Sequence, residues 1–155
     1  MKIIYADKSD NETLTMITKK SKAYWGFSED VLKVWEDLLT VTGDYIENNK
    51  VFKLIQNEQV IGYYSFSSVN DSTLKLDNIF ILPEFIRKGF GKILMEDFIK
   101  KAKLLNIKKI TLDAEPNAEN FYKNFGFKTI GKLESSIKDR YLPIMELKIE
   151  NKNNS

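Results

Sequence analysis

Residues 83–92 read PEFIRKGFGK and separate a β-rich apolar run from a stretch with helical apolar spacing. A helix start leaves backbone N–H groups without intrahelical partners and carries partial positive charge, which suits a phosphate. Gly89 and Gly91 let the backbone approach such a group without an intervening Cβ. Three cations stand beside them: Arg87, Lys88 and Lys92. The stretch therefore predicts a strand, an anion-binding loop and a helix, in that order.

Two other phosphate-binding motifs do not fit this loop. The P-loop pattern Gly-x-x-x-x-Gly-Lys-Ser/Thr is absent, and the loop lacks the first glycine of Gly-x-Gly-x-x-Gly. The remaining alternative is an ordinary strand–helix turn with solvated lysines. The strand–loop–helix context and the flanking cations favour the anion site.

Length and composition indicate one folded domain. The chain has 155 residues, of which 43% are hydrophobic and 12% aromatic, enough to bury a core. We expect one domain over residues 1–150 and a disordered tail at 151–155, NKNNS. The 24 basic and 22 acidic residues leave a net charge of +2, which gives no general reason to expect nucleic acid or a membrane as partner.

Two residue types are missing, and their absence excludes several chemistries. Without cysteine there is no disulfide, no thiolate metal site and no cysteine nucleophile. Without histidine there is no Ser-His-Asp triad, and a zinc site would need carboxylates alone, so we expect no metal. The chain shows neither a signal peptide nor a membrane-span pattern, and we expect a cytoplasmic protein.

Apolar periodicity predicts the element order β-α-α-β-β-β-α-β-α-β-β, an α/β (α+β) fold with helices among strands around one mixed sheet. The predicted strands are 2–6, 51–55, 60–66, 74–82, 110–112, 128–133 and 144–149. Ser9 and Glu12 have capping-box spacing and predict the start of the first helix. Ser28 is the predicted cap of a second helix whose apolar side carries Val31, Leu32, Trp35, Leu38 and Leu39. Asn57 and the next residue predict a hairpin turn.

The loop resembles the acyl-CoA pyrophosphate loop of the GNAT superfamily, Gln/Arg-x-x-Gly-x-Gly/Ala, with Ile86, Gly89 and Gly91 at its defined positions. Ile86 departs from the usual Gln or Arg, but the family grips the phosphates mainly through backbone amides. Residues 115–127, EPNAENFYKNFGF, resemble the second hallmark, an Asn followed by Phe-Tyr and Gly-Phe. Segments 21–28 and 136–143 are similar to parts of a bacterial GNAT subgroup.

The resemblance covers nearly the whole chain and implies an N-acetyltransferase with a GNAT-type α/β (α+β) fold, in which helices flank a mixed, mostly antiparallel sheet. The expected reaction moves an acetyl group from acetyl-CoA, as acyl donor, to a primary amine by direct attack in a ternary complex, because no cysteine can carry the acyl group. A non-catalytic acyl-CoA-binding or sensing domain is the open alternative. The acceptor amine stays unknown, and a homodimer is also open because many relatives pair as dimers.

The resemblance also implies a set of cofactor contacts: Ile81, Leu82, Arg87, Lys88, Gly89, Phe90, Gly91, Lys92 and Asn117. The end of the strand at Ile81 and Leu82 splays from its neighbour in this family, and its backbone pairs with the pantetheine arm. The other interpretation of both residues is ordinary buried strand. Asn117 is either a helix cap or a cofactor contact, and the sequence does not separate the two.

Tyr122 and Asp77 are the candidate catalytic residues. The family position of Tyr122 is often a general acid that protonates or stabilises the departing CoA thiolate. Tyr122 also shares a helical face with apolar residues, so its ring is expected to pack in the core. Asp77 lies among apolar residues of the strand before the loop and is a candidate base for the amine. The alternative is a strand-edge Asp that faces water.

The acceptor side has three candidate residues. Tyr24 and Trp25 stand between the first two predicted helices, where this fold usually closes over the acceptor, and either hold a substrate or form core. Arg140 is a candidate partner for a substrate carboxylate, or a solvated loop residue. A nucleic-acid-binding module that uses the lysine-rich helix at 100–109 is disfavoured, because aromatic residues do not interleave with those lysines.

Overall fold

The computed structural model describes residues 1–135 and 140–150. Within these ranges seven strands form one sheet in the order β1-β2-β3-β4-β5-β7-β6. The strands are β1 Lys2–Tyr5, β2 Lys50–Gln56, β3 Gln59–Asn70, β4 Thr73–Ile81, β5 Lys109–Asp113, β6 Lys128–Glu134 and β7 Tyr141–Lys148. β4 and β5 are parallel, whereas β1–β2, β2–β3, β5–β7 and β6–β7 are antiparallel.

Six α-helices accompany these strands in the described ranges. They are α1 Asn11–Tyr24, α2 Glu29–Val34, α3 Glu36–Leu39, α4 Gly43–Asn48, α5 Phe90–Leu104 and α6 Glu119–Lys123. Three short 3-10 turns, at Lys8–Asp10, Pro83–Phe85 and Pro116–Ala118, lead into α1, the loop before α5, and α6. The mixed, mostly antiparallel sheet with helices confirms the predicted fold class.

The chain divides into two compact units. The first comprises Met1–Phe66 and Asn78–Phe98, and the second comprises Ser67–Asp77 and Ile99–Ser155. The organisation of residues 1–150 as a single domain therefore stays a prediction. Residues 151–155 lie outside the described ranges, so the disordered tail is likewise a prediction.

The first unit has a continuous apolar core. Its fully buried members are Leu14, Ile17, Val41, Ile46, Val51, Tyr63 and Leu82. The β2–β3 hairpin supplies two of them, and its tight turn has positive φ at Asn57 (49°) and Glu58 (64°). Two consecutive left-handed residues match the right-handed twist of a two-residue hairpin, so the predicted hairpin is confirmed.

The helix caps of the first unit agree with the prediction at one helix and differ from it at another. The capping box joins Asp7 and Asp10 around the 3-10 turn, so the predicted Ser9–Glu12 box is wrong. Ser28 does cap α2, because its side chain accepts from the Val31 N–H, and that prediction is confirmed. Leu38 is 79% exposed rather than buried, because the second helix breaks into α2 and α3.

The second unit is organised around the central strands of its part of the sheet. Leu74, Ile110, Leu112 and Met145 are buried there. The parallel pairing of β4 with β5 joins Thr73–Lys75 to Lys109–Thr111, and β5 then pairs antiparallel with β7. No helix in the part of the chain that the structure describes is long and apolar enough to cross a membrane.

Candidate active site

The candidate anion loop is fixed at both ends by backbone hydrogen bonds. The Leu82 N–H donates to the Ile61 carbonyl at 2.8 Å, which ties the end of β4 to β3. At the far end, the Ile93 N–H donates to the Gly89 carbonyl at 3.1 Å and closes the first turn of α5. Gly89 is therefore the residue that caps α5, and the backbone N–H groups that follow it lack intrahelical acceptors.

Two residues of the loop adopt the left-handed conformation. The φ angle is 67° at Arg87 and 86° at Gly89, with Lys88 between them. Such alternation gathers successive N–H groups on one concave side, which is a backbone site for an anion. A left-handed arginine is sterically costly and is held there only by its surroundings. A Cβ built on Gly89 has no atom within 4 Å, so glycine is required here by conformation rather than by crowding.

The cations of the loop differ in how they are held. Arg87 and Lys88 are exposed, and the Lys88 ammonium lies 5.7 Å from the centroid of the Phe85 ring. Phe85 in turn packs edge-to-face on Phe90 at 5.9 Å. The Lys92 ammonium lies 3.8 Å from the Glu96 carboxylate, so part of its charge is offset. The structure therefore leaves Arg87 and Lys88 as the more available positive charges.

The side chains at the end of β4 and just after it are buried, and the backbone of β3 lies close to them. Ile81 and Leu82 are 9% and 2% exposed. A Cβ on Gly62 would lie 2.5 Å from Ile81 Cδ1 and 2.8 Å from the Phe80 carbonyl, so only glycine allows this approach. Among the described residues, the β4–β5 pairs cover Thr73–Lys75, whereas β4 continues to Ile81. Six residues of β4 thus lie beyond that parallel pairing.

The ring of Tyr122 is buried, and its hydroxyl forms no hydrogen bond with any residue that the structure describes. The ring packs edge-to-face on Phe121 at 5.3 Å and on Phe127 at 5.8 Å. Within residues 1–135 and 140–150, every fully enclosed polar side-chain atom is hydrogen-bonded, yet no hydrogen bond involves the Tyr122 hydroxyl. We infer that this oxygen reaches solvent. Burial raises the pKa of Tyr122, and the negative charge of Glu115 raises it further, so the phenol keeps its proton.

Two further candidates of the second unit are exposed. Asp77 on β4 faces solvent, as in the alternative interpretation, and its role as a base stays a prediction. Asn117 is exposed in the 3-10 turn before α6. Ala118 occupies the N-cap of α6 and no side chain caps this helix, so the helix-cap interpretation of Asn117 is wrong. Its contact with a cofactor stays a prediction.

Arg140 is engaged within the protein. Its guanidinium forms an ion pair with Glu115 and donates to the Ser135 hydroxyl at 3.2 Å. The solvated-loop alternative is therefore wrong, since the Arg140 side chain is only 18% exposed. Its role toward a substrate carboxylate stays a prediction. The neighbouring residues 136–139, part of the segment that resembles the bacterial subgroup, lie outside the described ranges.

The two acceptor-side aromatics lie at the surface. Tyr24 and Trp25 end α1, are 47% and 46% exposed, and pack edge-to-face at 5.1 Å. Their interpretation as core is wrong, and their role as a substrate surface stays a prediction. In the described residues no group of three or more carboxylates is arranged to hold a metal ion.

Sequence reasoning missed Lys22 of α1. Its ammonium lies 5.8, 5.9 and 5.6 Å from the ring centroids of Phe27, Trp35 and Phe80. A cation over three aromatic faces fixes the α1–α2 connection to the end of β4. The periodicity of α1 gave no signal for it, because the three rings come from separate elements.

Comparison with known proteins decides the family. The family model "Acetyltransferase (GNAT) domain" matches residues 18–149. The chain belongs to the GNAT acetyltransferase family. A relative from Gracilaria tenuistipitata var. liui, named uncharacterized N-acetyltransferase ycf52, is 35% identical over 85 residues, which is 55% of this chain and 43% of that protein.

Two further N-acetyltransferases extend the comparison. The [ribosomal protein bS18]-alanine N-acetyltransferase of Haemophilus influenzae is 36% identical over 93 residues, 59% of this chain and 60% of that protein. The chain thus spans about half the length of these curated relatives. The PaiA N-acetyltransferase of Thermoplasma acidophilum, crystallised with coenzyme A, shares the fold with a TM-score of 0.78 at 19% identity, covering 96% of this chain and 98% of that one.

Proposed function

We propose that this chain is an acetyl-CoA-dependent N-acetyltransferase that moves an acetyl group to a primary amine by direct attack in a ternary complex. The observation that carries the proposal is the loop from Arg87 to Lys92. Left-handed Arg87 and Gly89 present backbone N–H groups at the start of the fifteen-residue helix α5. Membership of the GNAT family and the coenzyme A held by the Thermoplasma relative support the same assignment.

The loop binds the pyrophosphate of the acyl donor in this proposal. Backbone amides of Lys88 to Gly91 donate to its oxygens, and the exposed charges of Arg87 and Lys88 add Coulomb attraction. Arg87 and Lys88 are exposed, so their contribution is screened by salt, whereas the amide contribution is not. The backbone of β4 beyond Lys75 is the edge along which the pantetheine arm adds, because the β4–β5 pairs among described residues end there.

The chemical step is an acyl transfer without an enzyme-bound acyl group. The nitrogen lone pair of the neutral amine attacks the thioester carbonyl carbon and the N–C bond forms. The C–S bond then breaks, and its electron pair leaves on sulfur as CoA thiolate. The nitrogen loses its extra proton to water or to the exposed Asp77 carboxylate. The products are an N-acetylated amine and CoA, whose sulfur takes up one proton.

Tyr122 serves the departing sulfur in this proposal. Its phenol stays protonated because burial raises its pKa well above that of an ordinary thiol, which is about 8.5. Proton transfer from such a phenol to a thiolate is uphill, whereas hydrogen-bond donation is not. We therefore assign Tyr122 as the donor that stabilises the developing negative charge on sulfur, with the sulfur finally protonated from solvent.

A turnover assay tests the proposal. The chain is mixed with acetyl-CoA and a panel of polyamines, amino acids, aminoglycosides and peptides, and released thiol is measured together with the mass of the acetylated amine. The expected result is thiol release in stoichiometric yield with one acetylated acceptor. Tight acetyl-CoA binding by calorimetry without turnover for any amine would favour the non-catalytic acyl-CoA-binding alternative.

The kinetic pattern tests the ternary complex separately. The absence of cysteine from the chain predicts that both substrates bind before either product leaves. Double-reciprocal plots should then intersect. Parallel lines, or an acetylated enzyme detected by mass spectrometry after incubation with acetyl-CoA alone, would contradict direct attack.

A further inference from the structure

The ion pair between Arg140 and Glu115 lies where the chain turns from β5 into α6. The Arg140 and Glu115 side chains are only 18% and 25% exposed. Arg140 Nη1 also donates to the Ser135 hydroxyl at 3.2 Å, and the Ser135 N–H donates to the Arg140 carbonyl at 3.0 Å. Side chain and backbone together tie Ser135, which follows β6, and Arg140, which precedes β7, to Glu115 at the entrance of α6.

Glu115 in turn fixes the start of the segment that carries Tyr122. The Ala118 N–H donates to the Glu115 carbonyl at 2.8 Å, and Ala118 is the N-cap of α6. No side chain caps this five-residue helix, so its first turn depends on the preceding 3-10 turn for its direction. Moving Glu115 therefore moves the helix that positions the Tyr122 ring.

The charge of Glu115 also acts on the Tyr122 hydroxyl. Burial is the main cause of the raised pKa of Tyr122, and the Glu115 carboxylate is the second. On α6 itself, Glu119 accepts from the Thr129 hydroxyl at 2.6 Å and lies 3.9 Å from the Lys123 ammonium, so its charge is offset. A partly buried carboxylate needs a partner, and Arg140 supplies it. Arg140 is thus coupled to Tyr122 through Glu115.

We propose that Glu115 and Arg140 are positioning residues that hold the Tyr122 phenol in place as a hydrogen-bond donor, and that Arg140 does not bind the acceptor. The kinetic part of this inference rests on the proposed acetyl transfer. The structural part, the coupling of Arg140 and Glu115 to Tyr122, does not.

The variants are chosen so that the chain can still fold. Arg140→Met alone removes the Arg140 charge from the partly buried Glu115 carboxylate and is the variant at risk. The double variant Glu115→Gln with Arg140→Met removes both charges together and leaves neither alone. Arg140→Lys keeps the positive charge but loses the forked geometry. Melting temperatures of all four proteins, including Glu115→Gln, show which of them are folded.

Kinetics separate positioning from substrate binding. We expect kcat to fall by roughly threefold to thirtyfold in Glu115→Gln and in the double variant, with KM for the acceptor unchanged. Arg140→Lys keeps the positive charge, so its kcat should fall less than that of Arg140→Met. In a Tyr122→Phe background the same changes should cost no further activity. A rise in acceptor KM caused by Arg140→Lys, with kcat unchanged and no effect of Glu115→Gln, would make Arg140 a substrate ligand and overturn the proposal.

A spectroscopic readout tests the coupling without turnover. The ring-carbon NMR signal of Tyr122, in protein with labelled tyrosine at neutral pH, should shift in Glu115→Gln and in Arg140→Met. The signal of Tyr64, whose hydroxyl donates to Asp97 at 2.6 Å, is the internal control and should not move. If the Tyr122 signals shift but the protein acetylates no amine, the proposed function is contradicted and the coupling of Glu115 and Arg140 to Tyr122 is supported. Unchanged Tyr122 signals in all folded variants would overturn the coupling itself.

Discussion

The loop before α5 and the turn before α6 are both parts of the candidate active site, but they are built differently. The first is built from backbone conformation, with left-handed φ at Arg87 and Gly89. The second is built from side chains, with an ion pair between Glu115 and Arg140 and the charge of Glu115 acting on the Tyr122 hydroxyl. A backbone site tolerates side-chain changes that keep its φ angles, whereas a side-chain site depends on single atoms. The two regions should therefore fail in opposite ways when mutated.

The largest expected effect is at the side-chain site. Tyr122→Phe removes one hydroxyl and keeps the buried ring, so the fold should lose little. If that hydroxyl donates to the departing sulfur, kcat should fall by roughly tenfold to a thousandfold with little change in KM for acetyl-CoA. The measurement is kcat and melting temperature on one preparation. Full activity in Tyr122→Phe would mean that Tyr122 only packs in the core. A melting temperature that falls in proportion to activity would mean that the hydroxyl stabilises the fold.

The backbone site should fail in binding rather than in chemistry. Gly89→Val forces a β-branched residue into φ 86°, so the loop must rearrange and lose one amide–phosphate hydrogen bond. Each hydrogen bond to a charged group contributes about 1.5–3 kcal/mol, which predicts roughly tenfold to a hundredfold weaker binding of CoA by calorimetry. The matched control is Gly26→Val.

Gly26 is a suitable control because it carries the same strain without the proposed ligand. Its φ is 92°, and a Cβ there, as at Gly89, has no atom within 4 Å. Both valine variants should lose similar stability. Equal CoA affinity in Gly89→Val, Gly26→Val and the parent protein would contradict pyrophosphate binding by this loop.

Alkaline pH should destabilise the folded protein through its buried tyrosines. Burial raises the pKa of Tyr63, Tyr64 and Tyr122 above the ordinary value of 10, so the folded state keeps protons that the unfolded state loses. Stability from these groups is fully present below pH 10 and falls as pH rises above it, by about 1.4 kcal/mol per pH unit for each tyrosine.

Comparing variants isolates the contribution of one tyrosine. Urea unfolding at pH 9 and pH 11 should show a smaller pH-dependent loss of stability in Tyr122→Phe than in the parent. An identical pH dependence in Tyr122→Phe and the parent would mean that Tyr122 ionises alike in both states.

The features that the sequence predicted correctly depend on interactions between residues that are close in sequence. The Asn57 turn and the Ser28 cap rest on contacts within a few residues, and both are confirmed. The strands and the fold class follow from local periodicity for the same reason. The capping box at Asp7 was missed because two adjacent boxes compete in this stretch, and α4 was missed because it has only six residues.

The partners of the candidate site residues could not be predicted in this way. Arg140 and Glu115 are 25 residues apart, and no periodic signal links them. Lys22 meets rings from three different elements, which only the folded chain brings together. The order of strand, loop and helix around residues 83–92 could be predicted, because its signals are adjacent in sequence. Phosphate binding by this loop stays a prediction.

The smallest expected effect concerns Ile86, where this chain departs from the Gln or Arg of the family loop. Ile86 has an extended backbone with φ −67° and ψ 146°, and it precedes the first left-handed residue, Arg87. If amides grip the pyrophosphate, Ile86→Gln should change CoA affinity by less than about threefold, since it alters neither the φ angles nor the N–H groups. Ile86→Arg adds a cation and should strengthen binding slightly, and only at low salt, because an exposed charge is screened. Calorimetry at two salt concentrations measures both variants against the parent. A gain of tenfold or more that persists at high salt would show that a side chain at position 86, and not the backbone, limits binding in this loop.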